Sequence, residues 1–355
     1  MQSRLAARPD ALGLLEDMLR IPTLSGSEGR LAAYLVEQMQ RLGFRAHVDA
    51  AGNAVGERGD GERPLVLLGH MDTVPGEVPV RHEGDRLYGR GAVDAKGPLA
   101  AFVAAAATVP VPPGARLVVV GAVEEEAASS RGARHVIPLY QPSAVIIGEP
   151  SGWDHVTVGY KGRLLIDYEL VADAAHTARA EASVAERAID YWGWVKGLSE
   201  AYGAGQSRQF DRVDPSLRAF NMWTDGLSER ASMTLLIRLP TGFDVEAFRQ
   251  AAAQFAGAAR LEFRGYEPAF RAAKSTPVVR AFLQAIRECG GEPRFSVKMG
   301  TSDMNVVGPA WGCPIVAYGP GDSDLDHTPR EHIEVAEFRR GVAVLEGVLS
   351  ALLAG

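Results

Sequence analysis

Residues 64–76 read PLVLLGHMDTVPG. The first six are an unbroken apolar run, too short for a helix and without the polar alternation of a surface strand. They predict a strand covered on both faces. His70 and Asp72 follow at once, two residues apart. In extended backbone such residues share a face, so Asp72 can hold one ring nitrogen of His70 and leave the other for a metal ion. Three more runs repeat the pattern. RLVVVGAV (116–123) leads into Glu124-Glu125-Glu126, SAVIIG (143–148) into Glu149-Pro150, and PIVAY (314–318) into Gly319-Pro320-Gly321 and then Asp324-Leu325-Asp326-His327-Thr328-Pro329. Helical stretches alternate with these strands, among them residues 11–20, 30–42 and the alanine-rich 97–108. Together they predict an α/β fold with a mostly parallel central sheet. Ligands in such sheets sit beyond the carboxyl ends of the strands, which is where every one of these polar clusters falls.

A fifth cluster is GRGAVDAKG, residues 89–97. It mimics the dinucleotide fingerprint G-x-G-x-x-G, but Asp94 stands at the third glycine position, where a carboxylate repels a pyrophosphate. Asp94 suits a metal ligand better, and it can bridge two ions. The three consecutive glutamates repel one another unless a cation neutralises them. Two imidazoles and three carboxylates make the ligand set for two zinc-like ions with open positions, and a carboxylate beside a ligand can act as general base. Two registers are open: Glu124 as base with Glu125 as ligand, or Glu125 as base with Glu126 as ligand. Aligning Gly121-Ala122 with the strand end favours the first. His47, His82, His135, His155 and His332 read as surface or packing residues, and so, on its own, does His176.

The chain has 355 residues, 46% hydrophobic and 23% charged, with a net charge of −7. That excludes a disordered chain, a collagen-like repeat and a coiled coil, and it disfavours a nucleic-acid partner. No run approaches the roughly 18 apolar residues of a membrane span. Two cysteines, Cys289 and Cys313, cannot build a disulfide framework. With no leader-like start, they predict a cytoplasmic protein. The middle of the chain differs from its flanks. Residues 163–171 and 232–239 alternate apolar and polar, and 182–202 and 243–255 have helical periodicity. These two strands and two helices predict a small α+β domain at 161–271, inserted into a catalytic domain made of 1–160 and 272–355.

GHMDTVPG, GRGAVDAKG, EEE, GEP and the late GPG…DHT, in this order and over essentially the whole chain, resemble the di-zinc hydrolases that include acetylornithine deacetylase, succinyl-diaminopimelate desuccinylase and carboxypeptidase G. The resemblance implies two divalent ions, zinc or cobalt, bound by His70, Asp94, Glu125, Glu149 and His327. It makes Asp94 the bridge and places His70 and Glu149 on different ions. Asp72 is implied as the partner of His70, and Glu124, in the favoured register, as the base. The inserted segment is implied to be a lid and dimerisation domain of a homodimer. From it His176 reaches the partner's active site and polarises the scissile carbonyl. Arg238 is implied as a substrate contact, although GLSERASM (226–233) replaces the family's Asn-x-x-Pro there. VEEE (123–126) and VGYKGR (158–163) look most like the branch that frees lysine or ornithine from the amino-group carrier protein LysW. Arg163, Arg179, Arg208, Arg212 and Arg218 could form a basic rim for an acidic carrier. A deacetylase, a desuccinylase or a di- or tripeptidase is the alternative within the family. A metal-binding relative without turnover is the alternative outside enzymes, disfavoured because holding metal needs neither Asp72 nor a spare glutamate.

Overall fold

The computed structural model describes residues 9–174 and 182–354. Its contacts divide the chain into two compact units, one of residues 1–159, 272–297 and 302–355 and one of residues 160–271 and 298–301.

In the first unit the four apolar runs form neighbouring parallel strands in the order Arg116–Ala122, Leu65–His70, Ala144–Gly148, Ile315–Ala317. Antiparallel strands flank them, with Ala54–Gly59 and Arg45–Val48 on one side and His155–Tyr160 on the other. The sheet is therefore parallel at its centre and mixed outward. Helices Ala11–Leu19, Lys96–Thr108, Pro277–Glu288 and Val335–Ala354 contribute Leu15, Phe102, Phe282 and Phe338 to one continuous apolar core. Among the described residues no helix is long and apolar enough to cross a membrane.

The alanine-rich helix is what sets the site. Every residue from Lys96 to Ala106 is buried, and the helix lies close against the strand ends because those ends carry glycine. Gly69 pairs in register with both Gly121 and Gly148, so three glycines stand abreast on three adjacent strands. A methyl group at Gly69 would meet Leu99 at 3.4 Å, one at Gly121 would meet it at 3.3 Å, and one at Gly148 would stand 2.8 Å from Phe102 and 3.0 Å from the backbone of Gly69.

The second unit is a four-stranded antiparallel sheet in the order Asp214–Thr224, Ser228–Leu239, Gly162–Asp173, Arg260–Glu267. Helices Val184–Gly203 and Val245–Ala256 share its apolar core. Val184, Ala188, Tyr191 and Val195 form the buried stripe of the first helix, whose start is closed by a capping box of Ser183 and Glu186. The sequence pattern predicts only two strands here. It misses Asp214–Thr224, an edge strand exposed along most of its length and so without alternation, and Arg260–Glu267.

Gly148→Ala should lower stability by about 1–3 kcal/mol, the usual cost of overpacking a filled core. The midpoint of urea unfolding measures it. An unchanged midpoint would mean that the helix is free to move away from the strands.

Candidate metal centre

The candidate metal ligands all lie within the first unit. His70 ends its strand with its imidazole buried. Its Nδ1 donates to the backbone carbonyl of Asp72 at 3.0 Å, which leaves Nε2 facing Asp94 Oδ1 at 3.2 Å and Glu149 Oε1 at 3.9 Å. The Asp72 carboxylate is farther from the ring, 3.5 Å from Nδ1. The other oxygen of Asp94 lies 2.9 Å from His327 Nε2, which also contacts Glu126 Oε1 at 3.0 Å. Two sets of three donors result, His70 with Glu125 and Glu149, and Asp94 with Glu126 and His327. Within each set the ligand atoms lie within 4.8 Å of one another. Asp94 touches a histidine of each set.

The charges are badly matched with protein groups alone. Burial, then the charge of Glu149, pushes the Glu125 carboxyl well above the usual carboxylate range. Burial and the charge of Asp94 do the same to Glu149, and burial also raises Glu126. Asp303, at the first turn of the helix Asp303–Trp311, adds to the repulsion on Glu125 and Glu149. The imidazoles move to match. Hydrogen bonds to Asp94 and Glu126 pull His327 up to about 10. At His70 burial disfavours the charge, but hydrogen bonds to Asp72 and Asp94 outweigh it and hold the pKa well above its ordinary value. Carboxylates and imidazoles crowded in this way fit divalent cations, which would cancel the repulsion that burial amplifies.

Backbone geometry holds the donors. Glu124 and His327 have φ of 59° and 60°, the left-handed region that a residue with a side chain enters at a cost of about 1–2 kcal/mol. Such strain clusters at functional sites. The amides of the acidic turn are captured by carboxylates. Glu124 N–H donates to Glu28 at 3.0 Å, and Glu125 and Glu126 donate to the two oxygens of Asp72 at 3.1 and 3.0 Å. Ser25 Oγ donates to Asp72 as well, at 2.7 Å.

Of the residues expected from sequence, His70, Asp94, Glu125, Glu149 and His327 meet, and Asp72 lies beneath them. Glu124 does not join them. Its carboxylate accepts from Ser129 Oγ at 2.6 Å and pairs with Arg131 at 2.8 Å, and Glu126 stands in the cluster instead. The donor sets therefore hold Glu125 and Glu126, the pair of the second register, while Glu124, with its left-handed backbone, points elsewhere. His70 and Glu149, which the resemblance implies on different ions, fall in one set of donors. Arg238 lies in the second unit, where its Nη1 donates to Thr301 Oγ1 at 2.9 Å. His176 and Arg179 lie outside the described residues. Ser25 and Glu28 escaped notice in what reads as an ordinary polar loop, since only the fold brings that loop under the acidic turn.

A sheet parallel at its centre, with carboxylates and imidazoles gathered around its carboxyl ends, fits a metal-dependent hydrolase. The chain belongs to peptidase family M20/M25/M40, whose sequence profile matches residues 66–351. A [LysW]-lysine hydrolase of Deinococcus radiodurans is 47% identical over 98% of this chain and 99% of that protein. A [LysW]-lysine/[LysW]-ornithine hydrolase of Saccharolobus solfataricus is 27% identical over 96% of each. Among solved structures, a tripeptidase from Staphylococcus aureus superposes with a TM-score of 0.80 at 18% identity, covering 99% of this chain and all of that one, and so shares the fold.

Removing divalent cations with a chelator should lower the thermal midpoint, and zinc should restore it. Ligand at 100 to 1,000 times its dissociation constant stabilises the folded state by about 3–4 kcal/mol. Scanning calorimetry with and without zinc makes the measurement, and coincident midpoints would count against a metal centre.

Proposed function

We propose that the protein hydrolyses the amide that joins lysine, or ornithine, to the amino-group carrier protein LysW. The observation that carries this reading is the 47% identity, over nearly the whole of both chains, with an enzyme named for that reaction. The donor geometry supplies a mechanism for it.

Asp94 presents one oxygen toward His70 and the other toward His327, so it serves as the shared ligand. With Asp94 shared, His70 and Glu149 would hold one ion, and His327 and Glu126 the other. That leaves one carboxylate of the first set over, and we assign Glu125, which adjoins Glu126, as the general base. Two divalent ions bound there, zinc or cobalt, would polarise the scissile carbonyl and lower the pKa of a water toward neutrality. The Glu125 carboxylate takes the proton from the attacking water and delivers it to the nitrogen of the departing lysine. Asp72 keeps Glu125 and Glu126 aimed by holding their amides, and the Asp72 carbonyl keeps the His70 Nε2 lone pair outward.

The same reading extends to assembly. Among the described residues the edge strand Asp214–Thr224 is paired on one side only, and it exposes Leu217, Phe220, Met222 and Trp223. Pairing with a second copy of the chain would cover it. In that homodimer His176 would reach the partner's active site and add to the polarisation of the carbonyl, as the resemblance implies. Of the arginines proposed for the carrier, Arg208, Arg212 and Arg218 are exposed. Arg163 is only half-exposed and donates to the Gly265 carbonyl at 3.1 Å. Both cysteines are free thiols, in keeping with a cytoplasmic setting.

Three substitutions test the roles. Glu125→Gln should keep both ions and lose roughly 100-fold or more of turnover. Glu126→Gln should lose an ion. Glu124→Gln should leave metal content and turnover near wild type. A Glu124→Gln enzyme that keeps both metals and loses turnover would return the base to Glu124. For the substrate, rates on LysW-linked lysine, LysW-linked ornithine, acetyl-ornithine and succinyl-diaminopimelate are compared at low and high salt. The carrier conjugates should be favoured, and their advantage should shrink as salt screens the arginines. Faster turnover of either free acyl amino acid would assign the enzyme to another branch of the family.

A further inference from the structure

Beside the metal-site donors lies a buried carboxylate that none of the roles above uses. Glu331 is fully buried and stands four residues after His327. Its Oε1 accepts three backbone N–H groups at once, from Gly91 at 3.0 Å, Val93 at 3.0 Å and Asp94 at 3.2 Å. Its Oε2 pairs with Arg90 Nη1 at 2.7 Å, and its backbone carbonyl accepts from Gly89 N–H at 3.4 Å. The whole turn that presents Asp94 is thus folded around one side chain. Arg90 extends the connection, since its Nε donates to the Gly76 carbonyl at 2.8 Å. Gly76 lies in the segment that follows His70 and Asp72. One carboxylate therefore ties together three loops, those of His70, Asp94 and His327, through backbone amides and Arg90.

We infer that Glu331 is a positioning residue for Asp94, setting the turn so that each Asp94 oxygen faces one of the two histidines. The inference rests on the reading of Asp94 as the shared ligand and adds to it the group that fixes its orientation. The chemistry explains why a carboxylate is needed. Three convergent N–H donors and a guanidinium call for an anion with two oxygens. A neutral amide in the same place would keep one acceptor but turn its NH₂ toward Arg90, donor against donor. A displaced Asp94 affects both ions together, whereas loss of His327 or Glu149 affects one.

The test compares wild type, Glu331→Gln and Arg90→Gln by competition for zinc against a chromophoric chelator, and by the visible absorption of the cobalt-loaded proteins. Removing a group that orients metal ligands commonly weakens binding 10- to 100-fold. Glu331→Gln should lose about that much affinity for both ions, and its cobalt bands should shift. Arg90→Gln, which keeps the three amide bonds, should lose only a few-fold. A part that merely supports the fold would lower the thermal midpoint of the metal-free protein and leave affinity and cobalt bands as in wild type, and that result overturns the inference. If Glu331→Gln does not fold, Arg90→Gln decides: wild-type zinc affinity and cobalt bands there overturn it too. Wild-type protein that takes up no zinc would overturn this inference and the metal reading beneath it, whereas wild type with two ions and an indifferent Glu331→Gln would overturn the positioning role alone.

Discussion

Asp94, Glu125, Glu126 and Glu149 crowd their carboxylates into one small, largely buried volume, and their mutual repulsion is the constraint that the surrounding structure answers. Charges of one sign do not stay together in a low-dielectric site unless something holds their backbones and something of opposite sign sits among them. His70 and His327 supply part of the opposite charge, and the donor sets are arranged for cations to supply the rest. Backbone control falls to another layer of acids that point at amides rather than at ions: Glu28 and Asp72 under the acidic turn, and Glu331 under the Asp94 turn. An acid used this way shares its charge with N–H dipoles, which makes its burial tolerable.

The sheet makes this crowding possible. Four parallel strands end side by side, so the loops after them converge at one edge of the sheet. The row Gly69, Gly121 and Gly148 lets the alanine-rich helix press against those strand ends. Since the Asp94 turn runs directly into that helix, the depth at which the helix packs is also the depth at which Asp94 meets His70. Core packing and ligand geometry are therefore one constraint here, and a single added methyl group acts on both.

Much of this was legible in the chain itself. Runs such as PLVLLG and SAVIIG have no reading but a buried strand, and a His or Glu directly after such a run is carried to the sheet's carboxyl edge wherever the strand sits in the order. That singled out His70 and Glu149; Asp94 stood out instead through GRGAVDAKG, which follows the short strand Arg86–Tyr88 of a separate three-stranded sheet, and His327 through the late DLDHTP cluster. Less was visible in the second unit. Asp214–Thr224 is exposed along most of its length, and a strand that buries no face leaves no period-two trace.

What the sequence determined by itself was the kind of chemistry: strands that must be buried, and ligand-type residues placed directly after them, since local order along the chain is enough for both. Three adjacent glutamates were beyond it. In a tight turn, spacing does not tell which side chain faces inward, and here a left-handed backbone at Glu124 sends that residue to Arg131 and brings Glu126 to His327. Glu331 was equally out of reach. Its partners are 237 to 241 residues away along the chain, and only the tertiary fold, which closes that distance, decided that a glutamate in an unremarkable PREH sequence would hold the turn of Asp94.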